Sequence, residues 1–256
     1  MGTRETTAAP GSEKAVSVSE FPYPGNANNR PCELAAVDAD VSLWWCVLDE
    51  DETSLPQVSA WLSPAETARA ARFGQPHLAR RYVRGRAALR WILARRLGVS
   101  PAEVPIERGE RGRPRLRGGL RPDFNVSNTR GVALVGIADA SDMRIGVDVE
   151  HGARSLAHAG LARKYLTPRE QAALASADED AHRSAFLRLW TCKEAMSKAT
   201  GDALAAPLRD LDVELAPTLR LAAGPPPYVP ADWTLLDVDV PEGFLATVAL
   251  WRRPQI

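Results

Sequence analysis

The sequence predicts an α+β protein assembled from two similar α+β units, and three observations carry that reading. A Ser/Thr-Pro-x-Glu segment occurs at 63–66, 100–103 and 167–170, and the first and third each follow a leucine, Leu62 and Leu166. Each of those two is followed by a second helix candidate, at 78–97 and at 181–199. Each half then closes on an apolar strand, 131–138 and 244–251. The same order of signals, repeated about a hundred residues apart, marks an internal duplication whose halves are related by a pseudo-twofold. The boundaries fall at 33–140 for the first unit and 141–256 for the second, joined through the polar turn 139–142.

The elements follow in order. Residues 1–32 form an N-terminal extension rich in Thr, Ala, Ser, Gly, Pro and Asn. It lacks the continuous apolar stretch of a secretion signal and is expected to be disordered. Residues 41–48 read as the first strand. At each Ser/Thr-Pro-x-Glu segment the hydroxyl caps free amides, proline suits the first helical position, and glutamate reaches back to the cap, so each predicts a helix start. Residues 105–121 and the three prolines at 225–227 read as loops, because proline and glycine interrupt both regular structures. The remaining strands are expected at 124–126, 132–138, 144–150, 233–240 and 244–250.

Composition narrows the function. Of 256 residues, 45% are apolar and 25% charged, values that suit a globular protein. Lys+Arg and Asp+Glu both number 32, so net charge marks neither a nucleic-acid nor a membrane binder. The longest apolar run, 132–138, is the length of a strand and predicts no membrane span. Three cysteines, Cys32, Cys46 and Cys192, without C-x-x-C spacing make no disulfide framework and place the chain in the cytoplasm. The balanced total hides fifteen arginines against four acids between Trp61 and Arg121, an excess of eleven positive charges. A solvated basic helix face is the ordinary meaning of such a run. The clustering at Arg80, Arg81, Arg84 and Arg86 favours a surface for phosphates or for an acidic protein, since guanidinium forks suit phosphate.

Two segments carry chemistry. In the strand 144–150, Ile145, Val147 and Val149 alternate with Gly146, Asp148 and Glu150, so two carboxylates project side by side from one face. Two such charges 4 Å apart repel by about 4 kcal/mol at an effective dielectric near 20, and a proton or a metal has to neutralise them. Removing Asp148 is therefore expected to raise thermal stability. In the helix 183–201, Trp190, Glu194 and Lys198 fall on one stripe. A surface pair is the ordinary meaning of Glu194 and Lys198, but only four lysines stand against 28 arginines, and two of them, Lys193 and Lys198, lie in this helix. Asp148, Glu150 and Glu194 together make a hard, all-oxygen donor set suited to Mg2+, with Mn2+ as an alternative. Zinc is disfavoured, because the four histidines and three cysteines show no ligand spacing. Neither a G-x-x-x-x-G-K-[ST] loop, a strand-linked G-x-G-x-x-G nor a G-x-S-x-G elbow is present.

IGVDVE at 145–150 followed by WTCKEAMSK at 190–198 resembles the paired signature of the 4′-phosphopantetheinyl transferases, (I/V)G(V/I)D(V/I)E and (F/W)xxKE(A/S)xxK. FNVSN at 124–128 is similar to the family's FNxSH segment, GRPR at 112–115 to its GKP segment, and RRYVRGR at 80–86 to its coenzyme-binding first helix. The ordered set spans 60–201 and resembles the Sfp-like class, in which a single monomeric chain carries both halves of a pseudo-dimer. The resemblance implies Mg2+-dependent transfer of 4′-phosphopantetheine from coenzyme A to a serine of an apo acyl or peptidyl carrier protein, with adenosine 3′,5′-bisphosphate released. It implies Asp148, Glu150 and Glu194 as metal ligands, Glu194 also as general base, and Lys198 on the transferring phosphate. Lys193 is implied on the coenzyme's phosphates, Arg81 and Arg69 on its 3′-phosphate, Ser127 and Asn128 beside the same region, and Arg113 on the adenosine or its phosphate. Two positions depart from the pattern: Asn128 stands where the family commonly has histidine, and Glu66 where it has a lysine. The alternative is a non-catalytic module that binds coenzyme A or carrier proteins. A Mg2+-dependent phosphohydrolase is a third reading, disfavoured because no D-x-D-x-T run or histidine pair is present.

Overall fold

The computed structural model describes residues 22–25, 30–49, 54–109, 111–153, 158–175 and 179–253. Its first sheet has the order β1 (Cys32–Glu33), β2 (Val41–Val47), β6 (Val132–Ala138), β5 (Asp123–Thr129), and its second has β10 (Trp233–Asp237), β11 (Phe244–Arg252), β7 (Met143–His151). All pairings among the described residues are antiparallel. Between α1 (Leu55–Ser59), α2 (Pro64–Ala70) and β5 lie the long helix α3 (Pro76–Leu97) and a hairpin, β3 (Ile106–Arg108) with β4 (Pro114–Leu116). After β7 come α4 (His158–Tyr165), α5 (Pro168–Ala175), the long helix α6 (Glu179–Thr200) and a second hairpin, β8 (Asp212–Glu214) with β9 (Arg220–Ala223).

The chain is α+β, with each sheet sandwiched between a helix and its neighbour sheet. Ile145, Val147 and Val149 of β7 meet Leu43 and Trp45 of β2, Leu134 of β6 and Val248 of β11 in a core between the two sheets. On its outer side the first sheet buries Phe124, Val135 and Ile137 against Leu89, Ile92 and Leu93 of α3. The second buries Leu235 and Ala249 against Leu189, Cys192 and Ala195 of α6. Apolar burial on this scale, at about 25 cal/mol per Å², is the main favourable term.

Two of the three expected helix starts form as expected. Ser63 accepts from the Glu66 amide while Glu66 accepts from the Ser63 amide, and Thr167 and Glu170 exchange the same pair of bonds. The third, at Ser100, builds a capping box but opens only a single 3-10 turn, Pro101–Glu103. Pro105 lies too close behind it, because the residue before a proline is driven out of the helical region. The reading of 105–121 as a loop is corrected: β3 and β4 pair across the prolines and glycines that prompted it. Most of the expected disordered extension lies outside the described residues. At its end, Tyr23 packs edge-on against Trp61 and Trp91, and Cys32–Glu33 pairs with β2.

Among the described residues β7 makes its ladder only with β11. Its other edge faces β5, and side chains close it. The amides of Ile145, Val147 and Val149 donate to Asp123 Oδ2 at 2.9 Å, Asn125 Oδ1 at 3.1 Å and Ser127 Oγ at 3.3 Å. The carbonyls of Met143, Ile145 and Val147 accept from Arg121 at 3.1 Å, Arg113 at 2.8 Å and Lys198 at 3.3 Å. A buried strand edge without partners would be costly; alternate residues of β5 take its amides, and two arginines before β5 and Lys198 of α6 take its carbonyls.

Candidate active site

The expected alternation in β7 holds: Ile145, Val147 and Val149 enter the core between the sheets, and Gly146, Asp148 and Glu150 turn to the face that α6 covers. Gly146 is where the helix crosses. A Cβ there would stand 1.9 Å from the Ala195 carbonyl oxygen and 2.7 Å from the Ala199 amide nitrogen, so only glycine admits the crossing. The crossing brings Lys198, on the next turn of α6, against Asp148.

Lys198 Nζ lies 2.6 Å from Asp148 Oδ1 and donates to Ser127 Oγ at 2.9 Å. Ser127 in turn donates to Asp148 Oδ1 at 2.8 Å. Asp148 Oδ2 is buried with no hydrogen-bond partner among the described residues. Glu150, two residues on, is as buried as Asp148, at 5% and 4% exposure, and Thr129 donates to its Oε2 at 3.4 Å. Glu194 stands half-buried on α6, one turn before Lys198. Among the described residues no three His, Cys, Asp or Glu side chains gather around one point. Asp148, with its spare oxygen, and Glu150 on the same face fit a hard cation that takes a few carboxylates and fills its remaining positions with water or substrate oxygens.

Lys193 is elsewhere. It is 0% exposed and donates to Glu170 Oε2 at 2.6 Å, the Leu208 carbonyl at 2.8 Å and the Tyr165 carbonyl at 3.0 Å. The expectation that it lies on coenzyme phosphates is corrected. Neighbours on a helix point about 100° apart, so Lys193 cannot share the outlook of Glu194. Burial pulls its ammonium below the ordinary lysine value, and the Glu170 charge opposes that pull. Glu170→Gln should leave this cation buried and unpaired and cost about 3–5 kcal/mol in chemical denaturation. A loss below about 1 kcal/mol would mean that the pair is solvated.

The remaining expected residues are spread more widely. Arg81, on α3, forms a bidentate pair with Asp49, and its hydrogen bond holds the Asp49 carboxyl below the usual carboxylate range. Arg69, on α2, lies 5.7 Å over the Tyr82 ring. Asn128 is exposed, beside Gly85 of α3. Arg113 donates to Asp123 through both Nη atoms at 2.8 Å, and to the carbonyls of Lys198 and Ile145. Glu66 forms ion pairs with Arg86 and Arg90. Burial raises its carboxyl, but the Arg86 charge, the Ser63 amide and bonds from both arginines outweigh that and hold it below the usual range. Arg113, Arg115, Arg121, Arg144 and Arg253 line a cavity of about 260 Å³, and Arg113, Arg115 and Arg144 also line one of about 430 Å³ with Arg111. Burial and the neighbouring Arg113 push Arg144 down to about 10.

Sequence reasoning missed Asp123, Asn125 and Thr129. Their signal was present, since D-x-N-x-S-x-T at 123–129 alternates polar residues on one side of a strand.

The family model described as the 4′-phosphopantetheinyl transferase superfamily matches residues 144–249. The 4′-phosphopantetheinyl transferase HetI of Nostoc sp. is 35% identical over 228 residues, which cover 86% of this chain and 92% of that protein. A putative 4′-phosphopantetheinyl transferase of Synechocystis sp. is 32% identical over 66% of this chain and 68% of its own length. The 4′-phosphopantetheinyl transferase ffp of Bacillus subtilis is 26% identical over 66% of this chain and 72% of its own. With a relative this similar along nearly its whole length, and with the acidic pair of β7 and Lys198 of α6 inside the matched region, the chain is an enzyme of the 4′-phosphopantetheinyl transferase superfamily.

Proposed function

We propose that this enzyme transfers 4′-phosphopantetheine from coenzyme A to a serine hydroxyl of an apo acyl or peptidyl carrier protein in a Mg2+-dependent reaction. The serine oxygen bonds to the phosphorus that bears the pantetheine arm. The bond from that phosphorus to the bridging oxygen breaks, and adenosine 3′,5′-bisphosphate leaves with the electron pair. The serine proton passes to Glu194, directly or through water. Lys198 stabilises negative charge on the transferring phosphate, and Ser127 orients Lys198 and Asp148. Asp148 and Glu150 would hold the cation, and Glu194, which does not gather with them around one point among the described residues, would have to close on it. When bound, the cation supplies positive charge to the diphosphate oxygens. Positioning and charge stabilisation suffice for this chemistry, so no covalent enzyme intermediate is needed.

The observation that carries the reading is Asp148, whose one carboxylate oxygen is engaged by Lys198 and Ser127 while the other is buried without a hydrogen-bond partner among the described residues. Arg81 and Arg69 are proposed for the 3′-phosphate, with Asn128 beside them. The arginine excess is proposed to attract acidic carriers to a cytoplasmic, monomeric enzyme.

The pseudo-twofold is proposed with the halves at 33–140 and 141–256. It is supported by a shared plan: an antiparallel sheet against one long helix, α3 or α6, and a capping-box glutamate that pairs with a cation of that helix. These pairs are Glu66 with Arg90, and Glu170 with Lys193.

The test is to mix the protein with coenzyme A, Mg2+ and an apo carrier and to weigh the carrier. Gain of one phosphopantetheine arm is expected, and coenzyme A binding without gain would favour the non-catalytic module. Glu194→Gln should lower transfer by roughly 10²–10⁴ with the unfolding midpoint unchanged. Activity within tenfold of the parent would remove Glu194 as the base.

A further inference from the structure

Arg113 sits where four elements converge. It precedes β4, and both its Nη atoms donate to Asp123 at the start of β5, each at 2.8 Å. Nη2 also donates to the Ile145 carbonyl of β7, and Nε to the Lys198 carbonyl of α6, both at 2.8 Å. Asp123 Oδ2 completes the circuit by accepting the Ile145 amide at 2.9 Å. Both backbone polar groups of Ile145 are thereby fixed, three residues before Asp148, and so is the main chain of the lysine that pairs with Asp148. The guanidinium is almost fully enclosed, with 10% of the side chain exposed, and all three of its nitrogens are engaged. Four of its five N–H donors are spent in this way, which leaves a ligand only the second N–H of Nη1.

We propose that Arg113 is a positioning residue: with Asp123 it holds β7 and α6 in the relative placement that aligns Lys198 with Asp148. This replaces the coenzyme contact that its place in the GRPR segment implied, and it rests on the proposed transfer reaction. The chemistry calls for arginine. A lysine carries three N–H donors on one nitrogen, so it cannot grip both oxygens of Asp123 in parallel and also donate to the carbonyls of Ile145 and Lys198, which takes four donors in a planar fork.

Arg113→Lys separates the two roles, because it keeps the charge, removes the fork and installs the residue of the family's segment. A positioning role predicts that kcat falls tenfold or more while KM for coenzyme A, and its dissociation constant by calorimetry, stay within twofold. Asp123→Asn should reproduce that pattern, although its native carboxylate could not attract a phosphate. The double variant should be no worse than the poorer single one, since both break one circuit. Should Asp123→Asn fail to fold, Asp123→Glu, which moves the charge by one carbon, serves in its place. A tenfold rise in KM or in the dissociation constant at unchanged kcat would overturn the proposal in favour of a coenzyme contact. Lowered stability with both kinetic constants unchanged would overturn it in favour of plain scaffolding. The calorimetric and stability readings stand even if the parent transfers nothing, so failure of the proposed reaction would be seen separately.

Discussion

Gly146→Ala is expected to lower transfer about a hundredfold, because displacing catalytic groups by about 1 Å has that effect. The added methyl would stand 1.9 Å from the Ala195 carbonyl oxygen and 2.7 Å from the Ala199 amide, and neither is a side chain that could rotate away. α6 has to lift as a body, carrying Lys198 from Asp148 and Glu194 with it. Overpacking of a dense interior costs about 1–3 kcal/mol, and more where backbone meets backbone, so the unfolding midpoint should also fall. The effects would be read together, as carrier mass gain per unit time and as urea denaturation. A variant with parental stability and activity would mean that the helix does not rest on this glycine.

Asp148→Asn carries the second large effect. Asparagine matches the shape and still accepts from Ser127, but it removes the charge opposite Lys198 and the oxygen proposed for the cation. Transfer should fall by roughly 10²–10³, the scale for loss of one preorganised electrostatic group. The Mg2+ concentration for half-maximal rate should rise. From sequence, loss of this carboxylate was expected to raise stability by relieving repulsion with Glu150. The Lys198 pair reverses that sign, because the ammonium loses its counter-charge. A quarter of the Lys198 side chain is exposed and its bonds to Ser127 and Val147 remain, so the loss should be about 1–2 kcal/mol. A raised melting temperature would show that carboxylate repulsion outweighs the ion pair.

What the sequence made legible follows from periodicity. β6 occupies the expected 132–138, because an apolar run of that length bounded by glycine and aspartate is the size of a strand and too short for an ordinary helix. The alternation at 144–150 was enough to put Asp148 and Glu150 on one face. The glycine between Arg144 and Asp148 was visible, but the carbonyl it accommodates belongs to a helix fifty residues away. Lys193 was misread for a related reason. Lys198 of the same motif points into the site, while the direction of Lys193 depends on Glu170, whose capping role gave no hint of a second partner. The β3–β4 hairpin was hidden because Gly109, Gly112 and Pro114 signal a turn without saying that strands flank it.

A backbone ladder is made of identical amides, so in principle two strands can slip by one repeat and bond as well as before. The junction of β5 and β7 has no such degeneracy. An aspartate, an amide and a hydroxyl follow one another along β5, and an arginine and a lysine answer from the other side. Moved by one repeat, the carboxylate would leave its guanidinium and the hydroxyl would lose its lysine. Side-chain identity therefore sets the phase of one sheet against the other, and the reacting groups inherit their alignment from spelling rather than from hydrogen-bond number.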